Sequence, residues 1–369
     1  MHIASYIGLV VGLTIFVGLV IWQGIGDLLD LLLSSGWALL LVPVAWFPTV
    51  LMNARCWQLL FLPPYGPNFG QAFYAQWMGR AVNTLLPVAS IGGEVVKARV
   101  LVLWGIDGKH SSASAVVDKT VQALTTIVWG IIGISLLAAM SLDDELALYS
   151  ALGLAILAAG IAGFLVVQKA GVFGLLVKSA KLVTSSERIE SLVGTADEVD
   201  GTIRALYRDR RRVLRAGTWR LSALILQTGE VWLAAYLLGF PIGILEAIML
   251  KSLSSIVSDA AFVIPNSYGI QEGAFIVLGA LVGLGPEPAL AISLAIRIRE
   301  VLIDVPGLIM WQHTEGRALI KIRNNFLDDE LINNRIIKKE TTRIHKINFE
   351  NGEKSECHER NVYFNSNEI

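Results

Sequence analysis

Two short apolar segments of the chain each place a glutamate seven residues after a proline, with glycine between them. The first reads LLPVASIGGE, with Pro87 and Glu94, and the second reads VIPNSYGIQE, with Pro265 and Glu272. Proline ends a helix, glycine permits a turn, and a new half-helix then begins with free N–H groups. A glutamate at that place either caps the half-helix or binds a lipid headgroup, a cation or a proton. The sequence leaves both interpretations open.

The last apolar run carries a polar stripe. Arg297, Glu300 and Asp304 recur at i, i+3 and i+7, which places them on one helical face. Arg297 and Glu300 also have the spacing of an intrahelical ion pair, which would make the stripe structural. Arg299 points away from this stripe. Glu230 stands alone in LILQTGEVWLAAYLLG, so its partner must come from another element.

Further polar residues lie beside the two broken segments. Arg80 and Asn83 share one face of the helix predicted before the first break, and Arg80 lies deep enough to bind a phosphate. Asn266 and Gln271 lie between the proline and the glutamate of the second break. These four join the acidic and basic residues above as candidate substrate-binding residues. Lys97, which follows the first break, could bind a headgroup phosphate, but it could equally be an anchor at the membrane interface.

Composition assigns the protein to a class. Of 369 residues, 54% are hydrophobic and 17% charged, which is typical of an all-α polytopic membrane protein. The net charge of -1 argues against a nucleic-acid-binding domain. Two cysteines form neither a disulfide framework nor a metal site, and the sequence lacks a P-loop and an H-E-x-x-H motif. We therefore expect no metal, no cofactor and no ATP site.

Six apolar runs reach membrane-spanning length, at about 3–22, 36–62, 112–140, 146–167, 216–239 and 287–312. The loop 168–215 holds ten Lys and Arg residues, which predicts that it is cytoplasmic. Loops 23–35 and 141–145 contain acidic residues and no base, and are predicted to be external. Both termini then lie in the cytoplasm. Asp118 and Lys119 open the third span near the membrane interface, where snorkelling explains Lys119.

Two broken segments remain, at about 69–104 and 241–285, and each must return to the side from which it entered. They enter from opposite faces, which is the pattern of the inverted repeats of transporters. The loop stretches 172–183 and 202–217 are amphipathic and are predicted to lie on the inner leaflet. The membrane domain spans 1–315. Residues 316–369 form a polar tail that we expect to be disordered.

Four motifs resemble those of the lysylphosphatidylglycerol synthase and flippase transmembrane family. They are GRAVNTLLPVASIGGEVVKARVL (79–101), VVDKT (116–120), PNSYGIQEGAF (265–275) and RIREVLIDVPGLIMW (297–311). The resemblance covers roughly 1–315, and length and build resemble the hopanoid-biosynthesis-associated branch. It implies translocation of a polar lipid by a helical domain with re-entrant segments. Some family members add a soluble aminoacyl-transferase domain; here only a short tail remains, so that activity is not expected.

Three functions follow from these observations. The first is translocation of a polar lipid, such as a hopanoid or a modified phospholipid, across the bacterial inner membrane. The second is an intramembrane lipid-modifying enzyme that uses Glu230 or Glu300 as acid or base. The third is a non-catalytic scaffold that binds lipid-biosynthesis enzymes through the basic loop. The sequence predicts no nucleic-acid partner and does not fix the oligomeric state.

Overall fold

A computed structural model describes residues 36–86, 92–140, 196–260 and 264–350, together with positions 14, 17, 21, 30 and 33. Within these residues the chain is helical and contains no strand, so the protein is an all-α membrane protein as the composition predicts. Most of the predicted first span, the span 146–167, the loops 23–35 and 141–145, and the stretch 172–183 lie outside the described residues.

The helices follow the predicted apolar runs and broken segments. A 3-10 helix, Gly36–Leu40, precedes the first α-helix, and a second one, Pro265–Ser267, lies in the second broken segment. The α-helices are α1 (Leu41–Trp46), α2 (Pro48–Leu59), α3 (Phe69–Leu85), α4 (Gly92–Leu103), α5 (Gly108–Met140), α6 (Ala196–Arg208), α7 (Arg210–Leu237), α8 (Ile244–Ala260), α9 (Ile270–Ala280) and α10 (Pro286–Glu350).

Two stretches of the described chain are long and apolar enough to cross a membrane. They are Gly36–Leu59 and Gly108–Met140, which fall on the predicted second and third spans. Helix Ile270–Ala280 is apolar but shorter. The run 216–239 lies largely in α7, which ends at Leu237, and the run 287–312 lies within α10; charged residues such as Glu230 and Arg297 lower the hydropathy of both runs.

Both predicted segments are broken. Helix α3 ends at Leu85 and α4 begins at Gly92, while α8 ends at Ala260 and α9 begins at Ile270. The first halves, α3 and α8, have 17 residues each, and the second halves have 12 and 11. In both segments the repeated glutamate is the third residue of the second half-helix. The sequence match therefore has a structural counterpart in the second half-helices, where the two glutamates occupy the same position.

The hairpin of α3 and α4 packs without side chains at its crossing point. A Cβ atom on Gly93 would overlap the carbonyl oxygen of Gly79, and one on Gly79 would lie 2.6 Å from the carbonyl oxygen of Gly93. Asn83 closes the same contact, because its Oδ1 accepts from the Gly93 backbone N–H at 2.7 Å. Asn83 is thus a hairpin residue.

One arginine joins the end of α2 to the beginning of α7. Asp209 caps α7 by accepting from the Arg212 backbone N–H at 3.1 Å and from Arg212 Nε at 3.0 Å. Arg212 Nη1 then donates to the carbonyl oxygens of Leu59, at 3.2 Å, and Phe61, at 2.6 Å. The last carbonyls of a helix lack intrahelical partners and carry partial negative charge, which a guanidinium satisfies.

Helix α6 does not present its apolar face to lipid. Val199 and Leu206 are buried in a cluster that includes Leu60 and Val117, and Tyr207 donates to Thr120 Oγ1 at 3.0 Å. The prediction that 202–217 lies on the inner leaflet is wrong for this face, because the apolar side chains of α6 have a protein surface to cover. The arginines of α6 lie on its exposed face.

The chain divides into two compact units, Met1–Thr314 and Glu315–Ile369. Helix is assigned as far as Glu350, whereas the composition of 316–369 predicted disorder. Residues 317–351 contain neither glycine nor proline and are rich in Leu, Ile, Lys and Arg, which favours local helix despite the many asparagines.

Candidate functional site: two buried ion networks

Most of the predicted site residues meet in one set of ion pairs, which we term the α10 network. It takes four residues from α10 and the others from α3, α7, α8 and α9. Its members are Arg80, Glu230, Lys251, Glu272, Arg297, Arg299, Glu300 and Asp304. A second set, the α4 network, consists of Glu94, Lys97, Asp118 and Arg220.

Glu272 uses its two carboxylate oxygens differently. Oε2 accepts from the Gly269 backbone N–H at 2.7 Å, which is the capping interaction expected at the third residue of a helix. Oε1 accepts from Arg297 Nε at 2.8 Å. The Glu272 side chain is fully buried, so the cation from α10 compensates a charge that water does not reach.

Arg297 also holds the backbone of the second break. Its Nη1 donates to Glu300 Oε2 at 2.9 Å and to the Asn266 carbonyl oxygen at 3.1 Å. Asn266 and Ser267 both have φ of 49°, the left-handed region that non-glycine residues rarely adopt. Asn266 Nδ2 donates to Glu300 Oε2 at 2.8 Å. Charged hydrogen bonds therefore fix a turn that its residues do not favour intrinsically.

Glu230 finds its partners on two other helices, as the sequence required. Lys251 Nζ lies 2.7 Å from Glu230 Oε1, and Arg299 Nε lies 2.8 Å from Oε2. Arg299, which points away from the polar stripe, is therefore a member of the site. Lys251 was not among the predicted site residues, although a lone lysine in an apolar half-helix is a signal of a buried partner.

Arg80 connects the first broken segment to the last helix. Its Nε lies 3.1 Å from Asp304 Oδ1, and its Nη2 lies 3.4 Å from Oδ2. The Arg80 side chain is 28% exposed, whereas that of Asp304 is fully buried. The guanidinium carbons of Arg80 and Arg299 lie 4.2 and 4.3 Å from the Trp46 ring centroid. Trp46 thus contacts two cations of the network.

The α4 network lies around the other repeated glutamate. Lys97 Nζ lies 2.5 Å from Glu94 Oε2 and 2.5 Å from Asp118 Oδ2, and Arg220 pairs with Asp118 Oδ1. Lys97 is buried and stacks over Trp57 at 4.8 Å, so it is not an anchor at the membrane interface. Asp118 is likewise buried, contrary to the interfacial position predicted for it.

The predicted residues separate into three groups. Glu272, Arg297, Glu300, Asn266, Arg80, Asp304 and Glu230 converge on α10, and Glu94 lies in the α4 network. Gln271 donates to Ser293 Oγ at 3.3 Å beside α10, and Asn83 closes the α3–α4 hairpin. Lys97, Asp118 and Arg220 were not chosen as site residues, because only the packing of α4, α5 and α7 brings them together.

The chemistry of both networks is that of paired, buried ions. In the α4 network two cations face two carboxylates, and in the α10 network four face four. A buried charge without its partner is strongly destabilising, so these groups hold the helices in register. Among the described residues no group of three or more His, Cys, Asp or Glu side chains has a geometry suited to a metal ion.

Comparison with known proteins gives two matches. A sequence profile described as "Lysylphosphatidylglycerol synthase TM region" matches residues 9–306. A protein named "UPF0104 membrane protein PH1989", from Pyrococcus horikoshii, is 26% identical over 327 residues, which cover 83% of this chain and 95% of that protein. No solved structure matches the chain.

Proposed function

Because the chain belongs to the lysylphosphatidylglycerol synthase transmembrane-region family, we propose that it moves a polar lipid between the leaflets of a membrane. The substrate is a hopanoid or a modified phospholipid, and the membrane is the bacterial inner membrane, with both termini in the cytoplasm. The sequence contains no P-loop, so movement is passive or coupled to an ion gradient.

One observation carries this proposal: the two broken segments meet, and α10 binds both. Helix α3 of the first segment contacts the Pro265–Ser267 turn of the second. Arg80 pairs with Asp304, and Glu272 pairs with Arg297, so each segment contributes one ion pair to the same helix. Interrupted helices at membrane depth are tolerated where they are buried in protein or line a wet cavity, and paired ones mark substrate sites in transporters.

Movement of a headgroup requires that internal ion pairs exchange for pairs with the substrate. Arg80 and Glu94 are the accessible members, with side chains 28% and 18% exposed. A headgroup phosphate can replace a carboxylate on the Arg80 guanidinium, and a headgroup hydroxyl or amine can bind Glu94. The deeper pairs then restore the resting arrangement after the lipid leaves.

The enzyme alternative finds less support in the geometry. A general base needs a lone pair directed at substrate. Glu230 is fully buried and accepts from two cations, and Glu300 accepts from Arg297 and Asn266. The scaffold alternative rests on the exposed arginines of α6 and the start of α7, which also suit contact with anionic lipid.

Reconstitution of the purified protein tests the proposal. A lipid with a fluorescent headgroup is incorporated into proteoliposomes, and the fraction reached by a membrane-impermeant quencher is followed over time. Exchange faster than in protein-free vesicles, with no new lipid species in the mass spectrum, is the expected result. A covalently altered lipid would favour the enzyme, and exchange no faster than in empty vesicles would reject translocation.

A further inference from the structure

We infer that Trp46, Thr49 and Arg299 form a subsite for the oxygen-rich part of a lipid headgroup that has no net charge. The inference rests on the proposed function, since it names the chemical class of the headgroup that the α10 network accepts. It comes from two features: a set of buried polar atoms without partners, and the charge balance of the network beside them.

Three buried polar atoms, on α1, α2 and α10, lack a hydrogen-bond partner among the described residues. They are Trp46 Nε1, Thr49 Oγ1 and Arg299 Nη1. The residues are 1%, 0% and 2% exposed, so solvent at the surface does not satisfy them. Two of the atoms are obligate donors and the third is a hydroxyl. A buried donor without an acceptor is destabilising, and several such groups around one aromatic ring can be satisfied together by one ligand that carries several acceptor oxygens.

The three residues converge on one place. Phe47 has helical dihedral angles, φ -52° and ψ -38°, so the chain is helical through the junction of α1 and α2. Trp46 and Thr49 are therefore one turn apart on the same face. The Arg299 guanidinium lies 4.3 Å from the Trp46 ring centroid. Asn53, whose Oδ1 also lacks a partner, extends the stripe by one more turn.

Arg80 is the exposed residue beside this place. Its guanidinium contacts the same tryptophan ring at 4.2 Å and is the part of the α10 network with substantial exposure. The neighbouring outward surface of α1 and α2 is apolar, with Val44, Phe47 and Leu51 exposed, as suits contact with acyl chains. A lipid held with its chains along this surface brings its headgroup to Trp46.

The charge balance identifies the kind of headgroup. Four cations of the α10 network face four carboxylates, so the network has no net charge to offer a ligand. A headgroup with a net charge would bring an uncompensated ion into a buried place. Phosphate oxygens of a zwitterionic lipid, or hydroxyl oxygens of an uncharged sugar lipid, supply acceptors and preserve neutrality.

The test measures which lipids the full-length protein retains. The protein is exchanged into nanodiscs with equal amounts of phosphatidylcholine, phosphatidylglycerol and a monogalactosyl diacylglycerol, and bound lipids are counted by native mass spectrometry. Retention of phosphatidylcholine or the galactolipid over phosphatidylglycerol is expected, and the more abundant of the two identifies the source of the oxygens. Preferential retention of phosphatidylglycerol, or no retained lipid, would overturn the inference.

Two substitutions remove single polar atoms while keeping the packing. Trp46→Phe retains an aromatic ring for both arginines, and Thr49→Val is nearly isosteric. Each is expected to lower retention about 2- to 10-fold, since one net hydrogen bond is lost. The matched controls are Trp129→Phe and Thr228→Val, which remove equally buried, unpartnered groups elsewhere. The controls should bind as the wild type does; equal losses in all four variants would contradict the assignment.

A charge variant gives a readout that misfolding does not imitate. Glu272→Gln leaves the α10 network with one extra positive charge, so the retained lipid should shift towards anionic phosphatidylglycerol. Arg297→Gln should shift it towards a cationic lipid, which is added to the mixture for this comparison. An unchanged ratio in both variants would reject the charge argument. Selective retention without leaflet exchange would reject the proposed function alone, whereas exchange that Trp46→Phe and Thr49→Val leave unaltered would reject only the subsite.

Discussion

At the scale of single residues, Glu272 is at once a helix cap and an ion partner, and Glu94 is an ion partner. Glu272 accepts from a backbone N–H and from Arg297, and Glu94 pairs with Lys97. The capping and binding interpretations of the sequence are therefore not exclusive at Glu272. A glutamine in its place keeps an acceptor for the backbone N–H but leaves Arg297 with a single carboxylate.

We predict that Glu272→Gln and Glu94→Gln each fold but lose most leaflet exchange, because the ion pairs that must exchange with substrate are unbalanced. Folding is checked by size-exclusion chromatography and thermal melting in detergent, and exchange by the fluorescent-lipid assay. Near-normal exchange in both variants would leave capping as the sufficient account of these carboxylates.

Glu300→Gln should impair exchange more than Lys119→Gln does. Glu300 accepts from both Arg297 and Asn266, so its neutralisation loosens the left-handed turn of the second break. Lys119 donates to Gln122 at 3.3 Å on its own helix, where glutamine can substitute. The two variants are compared at matched expression, and equal rates would assign Glu300 a structural role.

Arg80 and Asp304 should show strong coupling in a double-mutant cycle. Arg80→Gln leaves a buried carboxylate without its cation, and the loss of a buried partner typically destabilises by about 3–5 kcal/mol, less here because Arg80 is partly exposed. Asp304→Asn in the same chain removes that charge. We expect the double variant to melt at a higher temperature than Arg80→Gln alone; additive losses would show that the pair is not coupled.

At the scale of elements, the glycine contact makes α3 and α4 one unit. Gly93→Ala places a methyl group on the Gly79 carbonyl oxygen, so the helices must separate. We expect a clear drop in melting temperature and loss of exchange. Gly229→Ala is the matched control, because a Cβ atom there meets nothing within 4 Å. Equal stability of the two variants would contradict the close packing of the hairpin.

The Arg212 contact should be measurable in the same way. Arg212→Ala removes donors from the carbonyls of Leu59 and Phe61 and is expected to destabilise by about 1.5–3 kcal/mol, the range for hydrogen bonds to a charged group. Arg211→Ala, at an exposed neighbouring position, should have little effect. Amide hydrogen exchange at the end of α2 measures the local effect. Unchanged protection of these amides in Arg212→Ala would show that Arg212 does not stabilise the end of α2.

Local patterns predicted the elements better than their partners. Proline, glycine and the repeated glutamate located both breaks, and the i, i+3, i+7 spacing found the stripe on α10. Lys97, Asp118 and Arg220 were missed because their pairing depends on how α4, α5 and α7 pack, which no local spacing encodes. The same holds for α6, whose amphipathic pattern is compatible with either a membrane or a protein surface.

At the scale of the whole molecule, the predicted topology orients both networks relative to the two leaflets. A single cysteine introduced at position 200, in a background with Cys56 and Cys357 replaced, should resist an impermeant thiol reagent applied to intact cells. It should react after the membrane is opened. Labelling from outside would overturn the cytoplasmic assignment of loop 168–215 and, with it, the inverted arrangement of the two broken segments.

The balanced charge of the α10 network has a consequence for energetics. If the network and the headgroup both lack net charge and the lipid moves passively, without a coupled ion, each passage carries no current, and transport is electroneutral. A membrane potential of about 100 mV changes the free energy of one translocated elementary charge by about 2.3 kcal/mol, whereas it does not change the free energy of moving a neutral lipid. Imposing a potassium diffusion potential on the proteoliposomes should therefore leave the exchange rate unchanged in both polarities, and the cell's membrane voltage would neither drive the lipid across nor hold it back.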